Sequence, residues 1–310
     1  MKIHINDKEH DLPESWNDLE LNQQIGCYAI LMSDSREMME TQEMLPYKRV
    51  GLVKYLLGLS DEFMTQWEKD CIAVNGEKDG TLVFLSELSE ILKCTDFLLD
   101  KLEDGEYQIK LGLTKCPWPK LEHINKEKGR LKKKAFYAPA DGLDNLSIYE
   151  LGTTFTLFED FIKDKNIDKA EELIATIYRP SKPPTKYNKQ SAYQGDRRQP
   201  LLDHEGMVKK RIKKIHLLTS PVKQLILFWF ASCRQQIIDN YPNIFESPKG
   251  EKSGNDYGWG GVLMALAEGI KDLDKVAKQP YINALTYLSW REDQRIEAEM
   301  EAKRNRRRSA

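Results

Sequence analysis

Side chains able to do chemistry are few in this chain and never gather into a motif. Five cysteines and five histidines are spread over 310 residues. Cys27, Cys71, Cys94, Cys116 and Cys233 are odd in number and include no C-x-x-C pair, which excludes a complete disulfide framework and the common zinc and redox patterns. They are expected as small buried residues of a reducing compartment. His4, His10, His123, His204 and His216 are equally dispersed, and His204-Glu205 continues without the second histidine of a zinc-hydrolase helix. Asp203, His204 and Glu205 are consecutive, so their side chains diverge instead of meeting at one ion. The chain also lacks a dinucleotide fingerprint, a phosphate-binding loop ending in Lys-Ser or Lys-Thr, and a G-x-S-x-G elbow. Neither a catalytic constellation nor a cofactor is expected.

Long apolar runs are missing too. The longest, Leu225 to Ala231, is far short of the roughly 20 residues that cross a bilayer. The opening MKIHINDKEH has neither an apolar leader core nor a basic amphipathic stretch, so a cytoplasmic protein is expected. No internal repeat is visible.

What is present is a soluble, folded composition, 40% hydrophobic and 31% charged. The charge is uneven along the chain: residues 1–100 hold 9 Lys+Arg against 20 Asp+Glu, whereas residues 101–310 hold 38 against 29. Such a split, in a chain longer than one core usually supports, predicts separate units. The expected architecture is mainly α: an acidic α+β N-terminal domain over 1–115, a basic connector over 116–145, a helical domain over 146–302 and a basic tail over 303–310.

Helix signals are clearest between Leu146 and Pro184. Ser147 and Glu150 have capping-box spacing, Phe155, Phe158, Phe161 and Ile162 share a face, and Ala170, Leu173, Ile174 and Ile177 repeat the pattern before Pro180 stops it. A helical hairpin is predicted. Earlier, Ile3 and Ile5 alternate as a strand or hairpin, Ser60 can cap a helix, and Thr81 to Leu85 reads as a strand. Tyr107 to Leu113 alternates as another strand that could pair with Lys2 to Ile5. Pro221 suits the first turn of a helix running through Ile238, apolar around most of its girth and expected at the centre of the core. Arg179 to Pro200 and Pro242 to Asn255 read as long loops, the first a candidate contact loop.

Candidate partner-surface residues are Arg179, at the end of the hairpin, the lysines Lys209, Lys210, Lys213 and Lys214 of a basic helix, and Trp259 in Gly258-Trp259-Gly260-Gly261. The glycines are expected to make a tight turn that lets Trp259 enter the core. Lys132 to Lys134 and Arg306 to Arg308 are further basic patches. In a chain of pI ≈ 6.3, separate patches of this size are expected to be solvated or to meet an acidic partner, not nucleic acid.

Three segments carry a resemblance. Leu12-Pro13-Glu14-Ser15-Trp16-Asn17-Asp18-Leu19 opens the first. Leu146-Ser147, Phe155 and the closing Tyr178-Arg179-Pro180 mark the second, and Gly258-Trp259-Gly260-Gly261 with Leu263, Leu266, Ala267 and Asp272-Leu273-Asp274-Lys275-Val276 the third. Together they resemble a family of tail-module proteins from phages and prophages of Bacteroidetes-type bacteria. The resemblance implies a non-enzymatic protein of the host cytoplasm or the virion, binding phage tail proteins. The leading expectation is a tail assembly chaperone for the tape-measure protein, with the tail tube protein as another possible partner. The alternative is a structural component, a connector or minor tail protein, that stays in the particle.

Overall fold

The computed structural model is mainly helical, with a small two-stranded β region at the N-terminus. It describes residues 2–5, 8–32, 45–103, 107–127, 130–182, 196–201, 205–245, 258–267 and 270–309. The middle of the expected contact loop, most of the second loop and the Asp203-His204 pair lie outside the described residues. Two compact units emerge, Met1–Thr114 and Lys115–Ala310. The first holds 11 Lys+Arg against 23 Asp+Glu, the second 36 against 26.

In the first unit β1 (Lys2–Ile5) pairs antiparallel with β2 (Lys8–Asp11). A 3-10 turn at Trp16–Asp18 follows, closed by the Ser15 hydroxyl donating to the Asp18 carboxylate at 2.8 Å. Trp16 is buried there. Next to it Asn17 clasps a distant irregular segment, its Nδ2 donating to Gly112 O at 3.2 Å while its Oδ1 accepts from Thr114 N at 3.0 Å. The helices α1 (Leu21–Met32) and α2 (Leu45–Leu57) come next. Lys48 reaches from α2 to donate to Leu31 O at 2.9 Å, satisfying a carbonyl in the last turn of α1. Gly58, at φ 65, ends α2. Ser60 then caps α3 (Asp61–Asn75) by accepting from Phe63 N at 3.1 Å, as its sequence position predicts.

Two strand expectations fail here for physical reasons. Thr81 to Leu85 lies inside α4 (Glu77–Leu92), because the short apolar run continues at helical spacing through Leu88 and Leu92. Tyr107–Ile109, labelled β4, pairs with β3 (Leu99–Lys101) and not with Lys2 to Ile5. Closing a short hairpin loop costs less chain entropy than closing one of about a hundred residues.

The second unit opens on β5 (Lys120–Glu127) and β6 (Arg130–Tyr137), an antiparallel hairpin inside the stretch expected as a connector. Lysines on both strands hide its alternation, yet Leu121 pairs with Phe136 and both are buried. The helical hairpin follows as α5 (Ile148–Asp164) and α6 (Ile167–Ile177). Its capping box is complete: Ser147 Oγ accepts from Glu150 N at 3.2 Å, and Glu150 Oε2 accepts from Ser147 N at 3.3 Å. The buried stripe of α5 runs through Ile148, Leu151 and Phe155, so Ile162, expected on that face, stands exposed. α7 (Glu205–Ile215) leads to α8 (Ser220–Asn240), in which every residue from Leu225 to Phe230 is buried. That helix is the core of the unit. α9 (Pro242–Phe245), α10 (Gly258–Leu266), α11 (Leu273–Ala277) and α12 (Tyr281–Ser309) complete the chain. The starts of α5 and α12 are laced together, Ile148 N donating to Gln279 O at 2.9 Å and Tyr281 N to Leu146 O at 3.1 Å.

Candidate functional site

Arg179, expected on a partner surface, is buried at 1% exposure. The chain leaving α6 pairs with β6, Tyr137 N donating to Arg179 O at 2.8 Å and Arg179 N to Tyr137 O at 3.1 Å, which fixes this residue against the fold. Its guanidinium donates to Glu150 Oε1 and, at 3.4 Å, to Asp196 Oδ2. Arg198, also 1% exposed, grips Asp196 with two parallel bonds of 2.9 and 2.8 Å and lies 3.8 Å from Glu150. Two guanidinium groups and two carboxylates thus form one buried, neutral cluster. Arg198 Nη1 further donates to Ile177 O at 2.8 Å, and Arg211 Nε to Ala175 O at 2.7 Å, so two arginines satisfy carbonyls at the end of α6. Glu150 and Asp196 are committed to this lock. Neither is placed to act as a base.

A cleft of about 920 Å³ lies beside the cluster, bordered by Ser147, Tyr149, Lys182, Arg198, Asp274 and Lys278 among others. Among the described residues its wall holds no histidine or cysteine. Ser147 is occupied by the capping box, and Lys182 donates to Asp196 O at 2.6 Å. Among the described residues no nucleophile there meets a base. Among the described residues no group of three or more His, Cys, Asp and Glu could hold a metal ion. Cys27, Cys94, Cys116 and Cys233 are buried thiols outside any disulfide, and burial pushes the Cys27 and Cys116 thiols up to about 12, far from the reactive thiolate. No helix among the described residues is long and apolar enough to cross a membrane.

Lys209, Lys210 and Lys213 are exposed, while Arg211 and Ile215 bury the opposite side of α7. Lys214 is half-buried because its Nζ crosses to Ile124 O of β5 at 3.2 Å.

Trp259 is packed, not displayed. It lies inside α10, whose helix already starts at Gly258, so these glycines do not form the expected turn ahead of a helix. Its indole stands edge-on to Phe155 at 5.4 Å and 87°, and 6.1 Å from Phe245. The glycine that admits it is Gly152 of α5, where an added Cβ would come within 2.8 Å of Trp259 Cγ. Gly152→Ala should therefore push α10 away and cost about 1–3 kcal/mol. A urea unfolding midpoint equal to the parent's would refute that reading.

A surface the sequence reading did not single out stands on α12. Tyr287 and Trp290, 47% and 56% exposed, lie with ring centroids 6.0 Å apart. Arg291 holds its guanidinium 5.9 Å from the Tyr287 ring and donates to Ala265 O of α10 at 2.9 Å, next to Met264, which is 60% exposed. Helical spacing carries the signal: Tyr287 and Trp290 fall off the stripe of Leu285 and Leu288, so aromatic residues occupy a polar face.

Comparison of the chain with protein-family models, with curated proteins and with solved structures finds no match.

Proposed function

We propose that this chain is a non-catalytic protein-binding factor of a phage tail module that keeps the tape-measure protein soluble in the host cytoplasm until the tail tube forms. The observation that carries the binding role is the exposed cluster of Met264, Tyr287, Trp290 and Arg291 on α10 and α12. Aromatic, methionine and arginine side chains are the types that concentrate binding energy in protein interfaces. A tape-measure protein is a long helical chain whose apolar face lacks its final partner before polymerisation, and such a face aggregates unless covered. An aromatic surface between two helices suits the apolar stripe of such a helix. The tail-module assignment draws on the resemblance of the three segments, among which Trp16 and Trp259 are packed side chains.

Co-expression with the tape-measure protein of the same phage or prophage tests this directly. The soluble yield of that protein should rise and the two should co-purify. Trp290→Ala with Tyr287→Ala should weaken the pair by about 2 kcal/mol or more, roughly 30-fold in affinity. No gain in yield and no co-purification would overturn the proposal. A fixed copy number of this chain in purified virions would replace the chaperone reading with that of a structural component.

A further inference from the structure

Among the described side chains of α3 and α4, none is buried. The buried residues described in the first unit, Trp16, Leu31, Leu52 and Leu98 among them, lie outside this helical hairpin. Yet both of its helices are amphipathic. Phe63, Trp67 and Val74 fall at i, i+4 and i+11 on α3, and Leu82, Leu85, Leu88 and Leu92 share a side of α4. The rings of Phe63 and Trp67, 6.4 Å apart, are only half-buried, Val74 is 83% exposed, and Leu82 and Leu85 are 58% and 52% exposed. α3 packs mainly on α4, and α4 in turn meets α2. Two helices side by side cover only the line along which they touch, so an apolar stripe on each needs a further element to bury it. The described residues leave Val74, Leu82 and Leu85 without that cover.

The hairpin is also strongly acidic, and that charge selects what can cover it. Residues 61–92 hold 8 Asp+Glu against 2 Lys+Arg. Asp61 pairs with Lys54 and Glu90 with Lys93, both lysines lying outside the two helices. Asp70 stands exposed one turn before Val74, and Asp79 stands exposed one turn before Leu82, so carboxylates border the open apolar side chains on both helices. We propose that the α3–α4 hairpin binds a cationic amphipathic helix, whose apolar stripe covers Val74, Leu82 and Leu85 and whose lysines or arginines face Asp70 and Asp79. Helix-in-groove packing supplies the contact area, and opposite charge sets the choice of partner. A second copy of the hairpin would bring the same excess of negative charge and be repelled. This surface belongs to the first unit, whereas Met264, Tyr287 and Trp290 belong to the second, and the inference does not rest on the tape-measure reading.

The test uses the purified full chain and a fluorescein-labelled peptide of leucine and lysine, its leucines at helical spacing, followed by anisotropy across a salt series. The peptide should bind, and its affinity should fall as salt rises. The same peptide with glutamate for lysine, and one of identical composition in scrambled order, should each bind about tenfold more weakly or worse. Leu82→Ser with Leu85→Ser should weaken the lysine peptide by about tenfold or more, and Asp70→Asn with Asp79→Asn should flatten its salt dependence. Tyr287→Ala with Trp290→Ala should leave the affinity as it is, which separates this surface from the one assigned to the tape-measure protein. Unchanged circular dichroism shows that each variant keeps its fold. Absence of binding at low salt would show the face already covered within the chain and would overturn the proposal. Equal affinity for the lysine and glutamate peptides, no loss in the leucine variant, or a dimer in sedimentation that the leucine variant abolishes would overturn it too. The tape-measure reading is untouched by any of these outcomes, because that protein is absent from the assay.

Discussion

Glu150→Ala should lower the stability of the second unit by about 3–5 kcal/mol, the cost of breaking a buried ion pair from one side. Glu150 serves two structures at once. It completes the capping box with Ser147 and faces Arg179 and Arg198, both 1% exposed. Without it two buried guanidinium groups share the single carboxylate of Asp196, and the first turn of α5 loses an acceptor for the Ser147 N–H. For a unit of about 200 residues this corresponds to a fall in Tm of roughly 10 °C. A second variant separates charge imbalance from lost packing. Glu150→Leu combined with Arg179→Met removes one charge of each sign, and apolar replacement of a buried pair is often close to neutral. The double variant should therefore be more stable than Glu150→Ala alone. Equal losses in the two would show that the ion cluster is not what the carboxylate supports.

Phe155→Ala should cost a similar amount, about 3–5 kcal/mol, through the cavity left by a buried ring. Phe155 stands where four helices meet. Its ring contacts Phe230 of α8 edge-on with centroids 6.3 Å apart, Phe245 of α9 at 6.1 Å and Trp259 of α10 at 5.4 Å. The Arg234 guanidinium lies 5.0 Å from its centroid. Because α10 is short and reaches α5 through Trp259, loss of the ring should loosen it before the rest of the unit. Amide exchange over Gly258–Leu266 should quicken more than exchange over α8, and Phe155→Leu should recover part of the difference. Uniform exchange across both helices would contradict this account of how α10 is held.

Signals confined to a few neighbouring residues were readable from the sequence. The capping box of Ser147 and Glu150, the cap at Ser60 and the proline opening α8 each depend on residues within one turn of each other. What failed depended on distance. Arg179 finds its carboxylates 29 and 17 positions away, and no local pattern announces that a residue after a helix end turns inward. The β5–β6 hairpin stayed hidden because lysines occupy both its faces and leave only Leu121 and Phe136 as a matched apolar pair. The candidate surfaces divide the same way. The α7 lysines were legible as one helix face, whereas Tyr287 and Trp290 gain meaning only beside Met264.

The Arg179–Asp196 cluster also decides what a cut in the chain would do. Lys182 N donates to Arg197 O at 2.7 Å and Gln199 N to Pro180 O at 2.8 Å, so the backbone is tied on either side of residues 183–195 as well as through its arginines. A protease severing a peptide bond between Lys182 and Asp196 would leave two fragments that still migrate as one particle and separate only in denaturant. Foreign sequence spliced in at that point should likewise be carried without loosening the clasp at its base.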